Sequence, residues 1–453
     1  MSYDSAVALL YELGHELART PSHKFDPAHM RVLLQALGSP ESRFRSVLIA
    51  GTNGKGSTAA TLASILRVAG QPTGLYTSPH LVRINERIRI NGEMIADADF
   101  TRAHEQVEAA ATRLVSSGAL PWHPSFFETL TAMAFLYFAE SRVDLAVLEV
   151  GMGGRLDATN VVEPVVAVVT DISIDHQKFL GNTVREIAGE KAGIIRSGGT
   201  VVTLPQHPEA NDVIGNTILQ RNARGVSAVP YMPPVSPGAD VSVPRISDPD
   251  RQHEGPAVCE YPLTVLGEQI TVRSPLLGRH QLRNVALAIA AAVELNDSGV
   301  KVSAAEIERG IRETHWPGRF QILRRGGVEF VLDVAHNPAG SWALRSALSQ
   351  RYADRPLVFV FGAMRDKAVA EMAEILFPLA ERVLATRAEN PRSASPDEVR
   401  QLASRTGAEI ETAETVTQAV KRAQETVRPD GAVVITGSIY VVGEAMQALG
   451  MTP

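Results

Sequence analysis

The chain has a single cysteine, Cys259, so no intrachain disulfide can form and the composition fits a reducing compartment. No apolar run approaches the ~18 residues that a membrane span needs. The longest, Val285–Val293 (VALAIAAAV), is half of that and lies inside a helical pattern. The opening residues, MSYDSAVALLYELGHELART, set Asp4, Glu12 and Glu16 among the apolar positions with no basic stretch ahead of them, unlike a secretory leader. Positive charge is also in short supply: 44 Lys and Arg against 50 Asp and Glu leave a net charge of −6, whereas coating nucleic acid requires a cationic excess. The chain is read as cytoplasmic, without a membrane or nucleic-acid partner, and is taken as a monomer. What is present, 45% hydrophobic and 21% charged residues over 453 positions, is ordinary for a soluble globular protein. At ~100–200 residues per domain, that length suggests roughly two to four domains.

Apolar runs of strand length alternate with helix-length amphipathic segments, the pattern of parallel sheets with crossover helices, so an α/β fold is expected. In the first part the strands are Val47–Ala50, Thr73–Tyr76, Leu145–Val150, Val165–Asp171 and Thr200–Thr203. Helices run near Ser57–Ala69, Phe126–Glu140 and Val184–Ile195. Between 229 and 262 eight prolines exclude helix interiors and central strands, which predicts a surface insertion. A hairpin over 263–273 and an Ala-rich helix from His280 to Leu295 follow. A second alternation begins near 298, with strands Glu329–Asp333, Leu357–Phe361, Arg382–Thr386, Glu409–Thr412 and Ala432–Thr436. It reads as a Rossmann-like doubly wound domain. The polar turn NDSGVKV (Asn296–Val302) is the best boundary, dividing the chain into 1–297, a P-loop ATPase-like domain with a mostly parallel sheet, and 298–453.

The sharpest motif is VLIAGTNGKGS (Val47–Ser57): a strand, a glycine-rich turn with Lys55, then a helix. Glycines 51, 54 and 56 let backbone N–H groups close around phosphate oxygens, Lys55 adds a point charge, and the helix N-terminus adds its dipole. The segment departs from GxxxxGK[ST] twice, with Ile49 in place of the first glycine and Gly56 between Lys55 and Ser57. Glu149 closes an apolar strand, where a carboxylate calls for a cation or a hydrogen-bond partner. His176 lies beyond the next strand, so both could meet the sheet edge where ligands bind. One Mg²⁺ between them is chemically reasonable, although histidine is an uncommon ligand for so hard a cation. Without further information His176 reads as a structural histidine and Lys191 as a solvated helical lysine.

GTNGKGS resembles the phosphate loop of the Mur ligases and, among them, of the folate ligases folylpolyglutamate synthase and dihydrofolate synthase. Nine further segments match that family in order: TSPHL (Thr77–Leu81), NERIRING (Asn85–Gly92), LEVGMGGRLDATN (Leu148–Asn160), SIDHQKFLG (Ser173–Gly181), GEKAGI (Gly189–Ile194), GRHQLRN (Gly278–Asn284), WPGRF (Trp316–Phe320), LDVAHNP (Leu332–Pro338) and TGSIYVVGE (Thr436–Glu444). They cover nearly the whole chain, and as a set they are highly specific. The residues after His176, Gln177 to Phe179, depart from the family pattern, and the insertion at 229–262 is longer than a compact member needs.

The resemblance implies an ATP-dependent ligase with two Mg²⁺ sites held by Ser57, Ser78, Glu149 and His176. It implies ATP contacts from Thr52, Asn53, Gly54, Lys55, Gly56 and Ser57 and from Asn284, Arg319 and Asp333. It makes Lys191 a carbamylated lysine carrying CO₂, which requires a lowered pKa. His176, His336, Lys55 and Lys191 become the catalytic set. The pterin would meet Lys24, Phe25, Asp26, Phe126, Phe127, Glu128, Leu156 and Asp157, although two aromatics at a helix start are more often core. The implied reaction activates a folate or dihydropteroate carboxylate as an acyl phosphate, which the amine of L-glutamate attacks. Two other readings stand beside it. One is a cell-wall Mur ligase for a UDP-sugar peptide, disfavoured because the loop arrives already at residue 51; the other is a P-loop NTPase switch without ligase activity.

Overall fold

Arg45–Ala50 (β1) is buried from Ser46 onward, as a strand covered on both faces must be. Its side chains alternate: Val47 and Ile49 enter one apolar core, Leu48 with Ala50 another. In a computed structural model describing residues 1–14, 26–233, 245–246 and 257–451, β1 lies inside an eight-stranded sheet. The other strands are Thr73–Tyr76 (β2), Ile88–Ile90 (β3), Glu93–Met94 (β4), Leu145–Glu149 (β5), Val166–Val169 (β6), Thr200–Thr203 (β7) and Arg224–Ser227 (β8), in the order β4-β3-β2-β5-β1-β6-β7-β8. Only β3 runs against the direction of the other seven strands. Because β5 and β6 flank β1 on opposite sides, a crevice opens at the carboxyl end of β1, where such sheets bind ligands.

One face of this sheet is covered by helices Lys55–Val68 and Arg279–Leu295, the other by Asp97–Ser116 and Phe126–Glu140. Helix Ala304–Arg312 also packs on Lys55–Val68. Gly310 meets the Ile65 backbone so closely that a Cβ would stand 2.4 Å from Ile65 Cα, and Ser64 Oγ donates to Gly310 O at 2.8 Å. The sequence boundary at 297/298 therefore precedes a helix that belongs, by packing, with the N-terminal body. The polar turn marked a loop, and the small-residue helix contact that decides its allegiance is not a local signal.

Beside this body lies a three-stranded sheet of Arg245–Ile246 (β9), Cys259–Val265 (β10) and Glu268–Ser274 (β11). Here β10 begins earlier than expected and contains Pro262. β9 pairs with Cys259 and Glu260, so among the described residues no strand stands opposite Pro262 on that edge and no ladder hydrogen bond is lost there. Most of the proline-rich insertion lies outside the described residues.

The second sheet comprises Gln321–Arg325 (β12), Val328–Leu332 (β13), Leu357–Phe361 (β14), Arg382–Ala385 (β15), Ile410–Thr412 (β16) and Ala432–Thr436 (β17). Its order is β12-β13-β17-β14-β15-β16, parallel except for β12 at the edge. Helices on both faces give the doubly wound form: Phe330, Leu332 and Val360 point into one core, while Val331 and Phe359 join the large core shared with β1. Among the described residues no helix is long and apolar enough to cross a membrane.

Candidate functional site

The carboxyl ends of the two sheets face a cavity of about 590 Å³. On the first sheet the chain leaves β1 through Gly51–Gly54 and enters helix Lys55–Val68. Gly54 is left-handed (φ +89°), and a Cβ there would stand 2.1 Å from Asn284 Oδ1, so only glycine lets the loop lie against helix Arg279–Leu295. Gly54 offers no side-chain cap, which leaves the N–H groups of the first turn and the positive end of the helix dipole at the cavity wall. Lys55 Nζ curls back onto the loop, donating to Gly51 O (3.1 Å) and Thr52 O (3.3 Å).

Glu149 ends β5 beside this loop and is buried. Burial raises its pKa against the opposing pull of Lys55, the Ser78 N–H, Arg319 and Arg87. The hydrogen bond from Ser78 N to Glu149 Oε2 is 3.1 Å, which brings two of the expected ligand positions together. His176 caps a one-turn helix in a left-handed conformation (φ +50°) that a residue with a Cβ adopts only when its surroundings impose it. Burial lowers its pKa to about 3. Asp175 opposes the shift and the charges of Lys367, His336 and Lys55 add to it, so the ring is neutral at pH 7 and keeps a lone pair.

Lys191, expected from spacing alone on a solvated face, is 3% exposed, and its Nζ donates to Gly51 O at 2.9 Å. Burial, then the charge of Lys55, lowers its pKa to about 7. Among the described residues no three His, Cys, Asp or Glu side chains gather as a metal site. One carboxylate, two serine hydroxyls and a neutral imidazole fit Mg²⁺ only with further oxygens from phosphate and water, which is how that ion is usually held.

From the second sheet, Asp333 follows β13, and its carboxylate accepts from Phe320 N and Ala335 N, both at 2.9 Å. The first of these bonds fixes the turn that carries Arg319 into the cavity. Burial lowers the pKa of Arg319 and raises that of Asp333. His336 Nδ1 meets Val334 O at 3.0 Å, and its Nε2 lies 3.6 Å from Asp175 Oδ2. Asn337 caps helix Pro338–Arg351 and reaches across to Asn53 Oδ1 (3.0 Å) and Asp175 Oδ2 (3.1 Å). Lys367 Nζ donates to Asp175 Oδ1 at 2.6 Å. Burial would raise the Asp175 carboxyl, but the His336 hydrogen bond and the His176, Lys367 and His336 charges hold it well below the usual carboxylate range.

All the residues expected to bind nucleotide or metal line this cavity, as do Lys191, His336, Asp26, Phe127, Glu128, Leu156 and Asp157. Phe126 does not. It is 1% exposed, stacks on Tyr11 (5.5 Å between ring centres) and lies under the Arg87 guanidinium, so it is core. Successive helix residues point about 100° apart, which is why only one of the two phenylalanines can face the ligand space. Glu128 is engaged locally, its carboxylate accepting from Ser125 N (2.8 Å) and Oγ (2.6 Å) as a capping box. Lys24 and Phe25 lie outside the described residues. Sequence reasoning missed Asp175 and Lys367. Asp175 sits inside a quoted motif, and Lys367 follows the carboxyl end of β14, where a position rule points to it.

The Mur ligase middle domain family matches residues 49–292 and the Mur ligase glutamate ligase domain family residues 318–439. A probable bifunctional folylpolyglutamate synthase/dihydropteroate synthase of Haloferax volcanii is 37% identical over 98% of this chain, which spans 50% of that protein's length. A dihydrofolate synthase/folylpolyglutamate synthase of Bacillus subtilis is 36% identical over 81% of either chain. Mycobacterium tuberculosis folylpolyglutamate synthase complexed with ADP superposes with a TM-score of 0.86 at 32% identity, covering 100% of this chain and 99% of that one.

Proposed function

The chain belongs to the Mur ligase family, in its folylpolyglutamate and dihydrofolate synthase branch, and from that premise we propose that it joins L-glutamate to a folate or dihydropteroate carboxylate at the expense of ATP. It is an ATP-dependent carboxylate–amine ligase. The observation that supports the reading most is the convergence of Lys55, Glu149 and Lys191 from one sheet with Asp333 and His336 from the other on one cavity.

The substrate carboxylate displaces ADP from the γ-phosphorus of ATP, and the glutamate amine then displaces phosphate from the acyl phosphate. The amides of Gly54 to Ser57 at the helix start and Lys55 hold the phosphates and offset their charge, while Asn284 and Asp333 hold the rest of the nucleotide. Arg319 adds a cation from the domain seam. Ser57, Ser78, Glu149 and His176 would hold Mg²⁺ in two sites, and that ion would neutralise phosphate charge. His336, oriented by the Val334 carbonyl, holds the incoming amine. Lys191 in its neutral form takes up CO₂, releasing a proton and becoming an anionic oxygen donor. Phe127, Asp26, Glu128, Leu156 and Asp157 form the pterin side, where the flat face of Phe127 suits a planar ring. An acyl phosphate hydrolyses readily, so a reaction space walled by both domains protects it. The same reading takes the protein as a cytoplasmic monomer; its one cysteine is buried, with the thiol pKa pushed up to about 12 by burial.

The experiment is a product assay with ATP, Mg²⁺ and L-glutamate against dihydropteroate and tetrahydrofolate in parallel. Glutamyl product from either acceptor, with ADP release that depends on glutamate, is the expected result. Its absence with both removes the reading, and the pattern between the two acceptors assigns one activity or two.

A further inference from the structure

We infer that Arg283 is a positioning residue for the phosphate loop, acting through Asp171. The loop is stitched to the end of β6 by backbone: Thr52 N and Asn53 N both donate to Asp171 O, at 2.8 and 3.2 Å, and Thr170 Oγ1 donates to Asn53 O at 2.8 Å. Asp171 thus carries the loop on its carbonyl, and its carboxylate is gripped by Arg283. The guanidinium makes three contacts: Nε to Oδ1 (3.1 Å) and Oδ2 (3.0 Å), and Nη2 to Oδ1 (2.6 Å). The same Nη2 donates to Pro205 O at 2.9 Å, tying in the chain after β7. Arg283 precedes Asn284, the side chain against which Gly54 is packed. The first turns of helix Arg279–Leu295 therefore hold the loop from two directions, directly at Gly54 and through Asp171 at Thr52 and Asn53.

The side chains of Arg283 and Asp171 are 26% and 37% exposed and line the cavity. An ion pair so accessible contributes little to global stability. Its geometry is the informative part: a planar fork on a carboxylate fixes orientation in a way a lysine cannot reproduce. A phosphate loop binds by the direction of its free N–H groups, and Thr52 and Asn53, whose own N–H groups are taken by Asp171, set the direction of the Gly54 to Ser57 amides, so small displacements there weaken the nucleotide before they unfold anything.

The inference rests on the reading of Gly51–Ser57 as a nucleotide-phosphate loop, and its test separates the two. ADP affinity, the KM values for ATP and glutamate, and the thermal midpoint are measured for the wild type, Arg283→Met, Asp171→Asn and the double variant. Expected for Arg283→Met are an ADP Kd and an ATP KM raised by about tenfold, a glutamate KM within about twofold of wild type, and a coupled double variant no worse than either single one. Arg283→Lys recovers part of the loss. An ADP Kd unchanged in Arg283→Met overturns the inference, as do equal rises in all KM values with a lowered midpoint. Additive losses in the double variant also overturn it, since they would mean Arg283 touches the nucleotide itself. A wild-type protein that binds no ADP overturns both the inference and the reading beneath it.

Discussion

Lys367 Nζ lies 2.6 Å from Asp175 Oδ1, an ion pair that joins the second sheet to the loop before His176 on the first, with the side chains 9% and 6% exposed. Asp175 also accepts from Asn337 and lies near His336, so three side chains from the second domain meet at one carboxylate. Lys367→Met leaves that buried charge without the cation in closest contact with it, and the expected loss of stability is about 3–5 kcal/mol. Denaturant titration of the single variants and of Lys367→Met with Asp175→Asn checks it: the double variant should lose less than the two single losses added together.

Lys191 is the residue whose pH behaviour should be measured. With its pKa lowered by burial to about 7, a substantial share of its amines is neutral at pH 7, whereas an ordinary lysine is neutral in roughly one molecule in 2,500. Carbamate formation in ¹³C-bicarbonate should rise from pH 6 to pH 8 and give a protein-bound carbamate signal by ¹³C NMR that Lys191→Ala lacks. The stability sign follows from the same shift. Between about pH 7 and pH 10 the unfolded chain binds the extra proton, so stability from this group rises with pH across that window. Lys191→Ala should fold and lose turnover.

Gly54→Ala should weaken ADP binding by more than about tenfold, that is by over ~1.4 kcal/mol. Its Cβ would meet Asn284 Oδ1 at 2.1 Å. Adding Asn284→Ala relieves the clash but not the φ of +89°, which costs a non-glycine residue about 1–2 kcal/mol, and it removes a nucleotide contact of its own, so calorimetry should find the double variant little better than Gly54→Ala.

The neighbouring phenylalanines should separate cleanly. Phe126→Ala removes a core side chain packed on Tyr11 and Arg87, and the expected cost is about 3–5 kcal/mol in unfolding. Phe127→Ala, at the cavity wall, should raise the KM of the pteridine substrate with a smaller stability change. Thermal midpoints and acceptor KM values distinguish the two; equal effects would place both rings in the core.

Much of this protein is set locally. Strands such as Leu357–Phe361 and Ala432–Thr436 were legible in their apolar runs, and helix Phe126–Glu140 is bounded by its own Ser125–Glu128 capping box. The turn at Gly51–Gly54 is announced by glycines, a lysine and the helix that follows, all within a few residues of one another, although remote Asp171 and Asn284 hold it in place. The sequence by itself determined these, because backbone preference, capping and periodicity act over short spacings.

The tertiary structure decided the rest. Lys191 is unremarkable in its helix, and only packing under the β1 loop removes its water and lowers its pKa. Phe126 and Phe127 are the same residue type at adjacent positions, separated only by which wall each helix face meets. The allegiance of helix Ala304–Arg312 rests on Gly310 fitting Ile65, and the seam rests on Lys367 reaching Asp175. Desolvation and charge pairing depend on which remote segments come together, and no local window of the chain contains that distance.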